Sequence, residues 1–144
     1  MPIRQAEAIW EGNLREGRGR MKLSSVAFEG AYSYPSRFED GGGTNPEELL
    51  GAAHAGCFSM AFSAALTRAG YTPEKIHTTA SVHLEKLEEG FTIVRINLKT
   101  KVKIPGIQED AFLELAEGAK KNCPISRALS VPEITLEAQL VDEP

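Results

Sequence analysis

The chain has 144 residues, of which 42% are hydrophobic and 25% are charged, a composition typical of a folded globular protein. This length is sufficient to bury a core without disulfides, and it predicts a single domain over residues 1–144. The net charge of −4, without a basic run, argues against nucleic acid as a partner, because such binding depends on Lys and Arg side chains that contact phosphates.

The N-terminal part predicts short strands. One strand is expected over Arg4–Trp10 and a second over the partly alternating segment Arg18–Phe28, with a hairpin around Gly17–Gly19. The segment Tyr32–Phe38 is rich in aromatic residues and contains Pro35, which predicts an edge strand or an extended loop.

A long helix is the clearest predicted element. Asn45 is suited to the N-cap, Pro46 to the first turn, and Glu48 to the third position of a capping box. The helix is expected to end at Gly70. No charged residue occurs between Leu49 and Leu66, which predicts a helix that is buried on all sides. Its length and its many small residues suggest that a second subunit covers part of it.

The C-terminal half predicts a strand pair, two helical pieces and a final strand. The strands are expected over Ile76–Leu87 and Phe91–Ile104, joined by a turn at Glu88–Gly90, and over Glu133–Val141; the helices are expected over 107–121 and from Pro124 onward. This order predicts an α+β fold with a mainly antiparallel sheet and helices on one face.

The N-terminal residues carry charges throughout and lack the apolar segment of a secretory signal. No run approaches the roughly 18 apolar residues of a membrane span, so no membrane association is predicted. Two cysteines are too few for a disulfide scaffold. We therefore expect a cytoplasmic protein, in which a pair of thiols is more often catalytic, redox-active or metal-binding than structural.

The two cysteines allow several interpretations. Free cysteines often only fill space in a core. Two cysteines and three histidines could supply zinc ligands, but only His54 and Cys57 have ligand-like spacing, so no metal and no cofactor is predicted. Cys123 precedes Pro124, which disfavours a helical conformation at Cys123 and makes it an N-cap near free N–H groups. Cys57 has no such local help, so Cys123 is expected to be the more acidic thiol.

The stretch GTNPEELLGAAHAGCFSMAFS, with SRFE upstream and NCPISRAL downstream, resembles the OsmC/Ohr family of osmotically inducible and organic hydroperoxide resistance proteins. The resemblance spans nearly the whole chain and is closest to the OsmC branch, because His54 precedes Cys57 and the segment SYPSRFE is present. It implies an intertwined homodimer, with a long buried central helix in each chain and active sites at the subunit interface.

The resemblance also implies a function, the thiol-dependent reduction of organic hydroperoxides. It implies that Cys57 is the peroxidatic thiolate, Cys123 the resolving thiol, Arg37 the catalytic arginine and Glu47 its acidic partner. The reductant would be a dithiol, such as a dihydrolipoyl group on a partner enzyme. Arg37 would lower the pKa of Cys57 and stabilise the transition state, and Glu47 would hold the guanidinium as a bidentate ion pair.

One geometric constraint accompanies these roles. Glu47 and Cys57 are ten residues apart, which corresponds to about 15 Å and roughly 80° around a straight helix. They cannot touch on an uninterrupted helix, which predicts a break or bend near Leu50–Ala52 or a role for Glu47 only through Arg37. The alternatives to an enzyme are a redox sensor or binding module of the same fold, and a structural dimer with inert thiols.

Overall fold

The computed structural model describes residues 2–143, and the chain divides between Leu49 and Leu50 into two units. The first unit contains a three-stranded antiparallel sheet in the order β1-β2-β3, formed by β1 (Ala6–Glu11), β2 (Arg18–Leu23) and β3 (Glu29–Tyr32). The predicted hairpin is present between β1 and β2. The predicted second strand ends early, because a turn at 24–27, with Val26 at a positive φ of 54°, reverses the chain before β3.

The expectation of an edge strand or extended loop over Tyr32–Phe38 is wrong beyond Tyr32. A short helix, α1, spans Tyr34–Phe38. Ser33 and Ser36 form a reciprocal capping box, in which each side chain bonds the other residue's backbone N–H, and Pro35 lies in the first turn, where no N–H is required. The cap chemistry therefore outweighs the strand tendency of the aromatic residues.

The predicted long helix is confirmed as α2 (Pro46–Arg68). Asn45 Oδ1 accepts a hydrogen bond from the N–H of Glu48 at 2.7 Å. At the other end, Gly70 has a φ of +95°, which glycine adopts without strain. Of the break or bend predicted near Leu50–Ala52, the break is absent, since α2 is helical throughout.

Within one chain, α2 is buried on one side only, so the predicted burial on all sides requires the second subunit that was expected to cover part of it. One face is fully buried and contains His54 and three large apolar side chains, those of Phe58, Phe62 and Leu66. The opposite face is exposed and lined mainly by small residues, with Met60 78% exposed at its centre. A single chain of this size supplies a packing layer on only one side of the helix.

By length and composition alone, α2 is apolar enough to cross a membrane. This differs from the prediction that no segment of the chain is long and apolar enough to do so. The core helix of a folded protein has the same composition. Here, the part of α2 from Leu50 onward packs its buried face against the core of the second unit, and Ser59 donates a hydrogen bond to Thr78 at 2.8 Å. These contacts identify it as a core helix.

The second unit contains a three-stranded sheet in the order β4-β5-β6, formed by β4 (Lys75–Leu87), β5 (Gly90–Lys103) and β6 (Glu133–Leu140). The pair β4–β5 is antiparallel and β5–β6 is parallel. Two helices, α3 (Glu109–Asn122) and α4 (Pro124–Ala128), precede β6. The core joins α2, α3 and the inner face of the sheet, with the fully buried residues Phe58, Phe62, Leu66, Ile96, Leu98, Val102, Phe112 and Ala116.

A chain of hydroxyl groups fixes α2 on this sheet. Ser59 bonds Thr78 on β4, and Thr78 in turn lies 3.0 Å from the fully buried hydroxyl of Thr100 on β5. Ser59 is two residues from Cys57, so this network holds the part of α2 that carries the thiol in a fixed position.

Candidate active site

The two cysteines of the chain meet although they are 66 residues apart. Cys57 is partly exposed on α2, and Cys123 is fully buried between α3 and α4. Cys123 is both the C-cap of α3 and the N-cap of α4, with φ −56° and ψ 125°. Pro124 enforces this extended conformation, which ends one helix and starts the next. The two Sγ atoms lie 2.8 Å apart.

The surroundings make the two thiols unequal. Burial raises the pKa of Cys57, and its hydrogen bond with Cys123 raises it further. Burial acts to raise the pKa of Cys123, but the hydrogen bonding with Cys57 and with the first turn of α4 together outweighs that effect and lowers it. The N–H groups at the start of α4 and the hydroxyl of Ser126 lower the pKa of Cys123 as well, although its sulfur forms no side-chain cap hydrogen bond. The expectation that Cys123 is the more acidic thiol is confirmed.

A third polar side chain adjoins this pair from the interior. His54 lies three residues before Cys57 on α2 and is fully buried. Its Nε2 is 2.7 Å from the hydroxyl of Ser126, whereas its Nδ1 is buried without a hydrogen-bond partner. Burial lowers the pKa of His54, which favours the neutral imidazole. Sequence reasoning missed Ser126, because nothing in the sequence of α4 reveals which residue of α2 it contacts.

Arg37 and Glu47 also meet, within the first unit. Arg37 is in the last turn of α1 and Glu47 in the first turn of α2. The Nε and Nη2 atoms of Arg37 donate to the same atom, Glu47 Oε1, at 3.0 and 2.9 Å. Glu47 Oε2 is buried without a partner. The pair therefore differs from the expected bidentate arrangement, in which each carboxylate oxygen accepts one N–H.

The guanidinium borders an aromatic cavity. The Arg37 Cζ atom lies 5.1 Å from the centroid of the Phe38 ring. The cavity has a volume of about 220 Å³ and is lined by Trp10, Leu14, Tyr32, Ser33, Tyr34, Arg37 and Phe38. A cation at the edge of an apolar cavity is suited to a ligand with one polar group and a hydrocarbon body.

The structure thus forms two pairs from the four predicted site residues, each pair within one unit: Arg37 with Glu47, and Cys57 with Cys123. Residues 2–143 contain no group of three or more Cys, His, Asp or Glu side chains arranged to hold a metal ion. The sulfur pair can undergo thiol–disulfide chemistry without a metal.

The chain is similar in sequence to proteins of one known family. A family model described as OsmC-like protein matches residues 39–138. The chain is 47% identical over 138 residues to the Peroxiredoxin OsmC of Escherichia coli strain K12, across 95% of this chain and 96% of that protein. It is 30% identical over 113 residues to the Organic hydroperoxide resistance protein of Xanthomonas axonopodis pv. citri, across 76% and 78% of the two chains.

Solved structures show the same fold at lower sequence identity. An OsmC-like protein of unknown function from Vibrio cholerae matches with a TM-score of 0.75 at 18% identity, across 96% of this chain and 99% of that chain. The α+β arrangement of two three-stranded sheets and a long central helix is therefore the OsmC fold.

Proposed function

Because this chain belongs to the OsmC-like family, we propose that it is a thiol-dependent peroxidase that reduces organic hydroperoxides to alcohols. Relatives of this chain are named Peroxiredoxin OsmC and Organic hydroperoxide resistance protein. The observation that carries the proposal is the 2.8 Å separation of the Cys57 and Cys123 sulfur atoms. That distance requires only a small movement to form a disulfide bond of about 2.05 Å.

Cys57 is the peroxidatic residue, because its sulfur is the more exposed of the two. Its thiolate attacks the distal oxygen of the hydroperoxide, the O–O bond breaks, and the alkoxide leaves and takes up a proton. The product is a Cys57 sulfenic acid and an alcohol. The Cys123 thiol then attacks the Cys57 sulfur, and a disulfide and one water molecule form.

We assign Arg37 and Glu47 to the same reaction, as the family resemblance implies. Burial and Cys123 raise the pKa of Cys57, so attack at neutral pH requires a fixed cation near its sulfur. Arg37 has N–H donors beyond those bound by Glu47, and they stabilise negative charge on the departing oxygen. Glu47 orients the guanidinium and acts on the thiol through it. The aromatic cavity beside Arg37 would hold the hydrocarbon part of the substrate.

A dithiol returns the disulfide to the two thiols, and a dihydrolipoyl group on a partner protein has the required chemistry. We propose a cytoplasmic location, where thiols are normally kept reduced.

The proposal is tested by steady-state turnover with cumene hydroperoxide and with hydrogen peroxide, each with dihydrolipoamide or thioredoxin as reductant. We expect kcat/KM to be at least about 10-fold higher for the organic peroxide, because burying its hydrocarbon part contributes binding energy. A single equivalent of peroxide consumed without turnover would instead indicate a redox sensor. Thiols that react only after denaturation would indicate a structural protein.

The exposed face of α2 supports a homodimer. This face is lined by Ala53, Gly56, Met60 and Ala64, at helical spacing. Small side chains permit the close approach of a second helix, and an apolar stripe of this length is unfavourable in water. We propose that a second copy of the chain covers it, as in the intertwined dimer implied by the family resemblance.

The substitution Met60→Glu is expected to weaken this dimer, because it would bury an unpaired carboxylate at the centre of the stripe. Sedimentation velocity should show a shift from dimer to monomer at micromolar concentration. Leu113→Glu is the matched control, since Leu113 is an exposed apolar residue on α3 (41% exposed). A Met60→Glu protein that sediments as the wild type would contradict this interface.

A further inference from the structure

We propose that His54 and Ser126 act as a positioning pair that makes Cys123 the leaving group when the disulfide is reduced, so that the reductant enters at Cys57. The inference rests on the proposed role of Cys123 as the resolving thiol. Neither residue takes part in the attack on the peroxide. Their proposed role is in the later step, the reduction of the Cys57–Cys123 disulfide.

The first argument is the hydrogen-bond polarity of the pair. His54 is fully buried, and its Nδ1 has no partner. A buried N–H without an acceptor is rarer than an unused acceptor lone pair, so we assign the proton of the neutral imidazole to Nε2. This N–H donates to the Ser126 hydroxyl oxygen 2.7 Å away. Since that oxygen accepts from His54, its own hydrogen is free to point elsewhere.

The second argument is where that hydrogen can go. Ser126 lies in the first turn of α4, whose N-cap is Cys123. Its hydroxyl and its N–H lower the pKa of the Cys123 thiol without forming a side-chain cap hydrogen bond. The N–H of Ile125 lowers the pKa of both thiols, whereas Ser126 acts on Cys123. The titratable group that adjoins this sulfur directly is Cys57 on α2, while His54 acts through Ser126. Ser126, which His54 holds in place, therefore favours negative charge on the Cys123 sulfur.

The third argument is access. In the disulfide, an external thiolate reaches Cys57, which is partly exposed, and not Cys123, which is fully buried. The reductant thiolate forms a bond to Cys57 Sγ, the S–S bond breaks, and the electron pair goes to Cys123 Sγ. The second thiol of the reductant then displaces Cys57 as a thiolate. Two protons from the dithiol end on the two cysteines, and the dithiol leaves as a disulfide.

The test is the rate at which dithiothreitol reduces the preformed disulfide of the full-length protein. Disulfide exchange is faster when the leaving thiol is more acidic, so Ser126→Ala and His54→Leu should slow reduction by about 3- to 10-fold, the effect of one lost hydrogen bond. His54→Gln, whose amide can donate to Ser126, should restore most of the rate. Consumption of the first equivalent of peroxide by the reduced protein should stay unchanged.

Two further measurements separate positioning from a merely structural role. In a Cys57→Ser background, thiolate absorbance at 240 nm should titrate at higher pH when Ser126→Ala is added. Brief exposure of the disulfide to glutathione should give a mixed disulfide that mass spectrometry locates on Cys57. Wild-type reduction rates in Ser126→Ala, or glutathione on Cys123, would overturn the inference. These measurements need no peroxidase turnover, so their failure is distinct from failure of the proposed function.

Discussion

Replacing Cys57 with serine is expected to reduce peroxidase turnover by at least about 1,000-fold, because the substitution removes the nucleophile on which the reaction depends. A serine hydroxyl is not appreciably ionised near neutral pH and does not attack the O–O bond. Steady-state consumption of cumene hydroperoxide with dihydrolipoamide measures the effect.

The matched variant is Cys123→Ser, which retains the attacking sulfur. Without reductant, it should consume one equivalent of peroxide, after which Cys57 oxidises further to sulfinic acid, because no second thiol captures the sulfenic acid. Mass spectrometry of the intact protein distinguishes these products. Turnover by Cys57→Ser at more than a few per cent of the wild-type rate would show that another group reacts with the peroxide.

Replacing Arg37 with methionine is expected to lower kcat/KM by about 100- to 1,000-fold, the loss seen when a fixed group that stabilises developing negative charge is removed. The substitution also leaves the Glu47 carboxylate, whose side chain is only 11% exposed, without its cation. We expect a loss of about 1–2 kcal/mol in the free energy of unfolding, since solvent partly screens the 38% exposed Arg37. Urea unfolding of the reduced protein measures this second effect.

Two control variants accompany this substitution. Arg18→Met removes another arginine of the first unit, one that is 83% exposed and 3.7 Å from Glu11. This variant should have a kcat/KM and a free energy of unfolding close to those of the wild type. Glu47→Gln keeps the guanidinium but loosens its anchor, and should cost about 10-fold in kcat/KM. An Arg37→Met protein with undiminished activity would contradict the role proposed for the guanidinium.

Local sequence signals predicted much of the fold. Asn45, Pro46 and Gly70 act within a few residues of the helix ends that they specify, so the bounds of α2 were readable from the sequence. The alternation of β4, β5 and β6 was equally local. The helix α1 was missed because Pro35 and the neighbouring aromatic residues favoured a strand, while the decisive pairing of Ser33 with Ser36 was overlooked.

The candidate site was less accessible to sequence reasoning. The acidity of Cys123 was predicted from one of its causes, the N-cap position before Pro124, which is local. The larger lowering of its pKa by Cys57, 66 residues away, could not be predicted from the sequence. The contact between His54 and Ser126 spans 72 residues, and no periodicity or spacing encodes it. Likewise, hydropathy predicts that α2 is covered but does not tell which face is covered by its own chain and which is left for a second subunit.

The proximity of the two sulfur atoms has a consequence for motion. Cys57 is held by a helix anchored to the sheet through Ser59, and Cys123 by the junction of two helices, with their sulfur atoms already 2.8 Å apart. Forming or breaking the Cys57–Cys123 disulfide should therefore require rotation of the two side chains, without unwinding of either helix. We expect the same backbone structure to accommodate the dithiol and the disulfide, so that oxidation should proceed even inside a crystal lattice, where larger rearrangements are blocked.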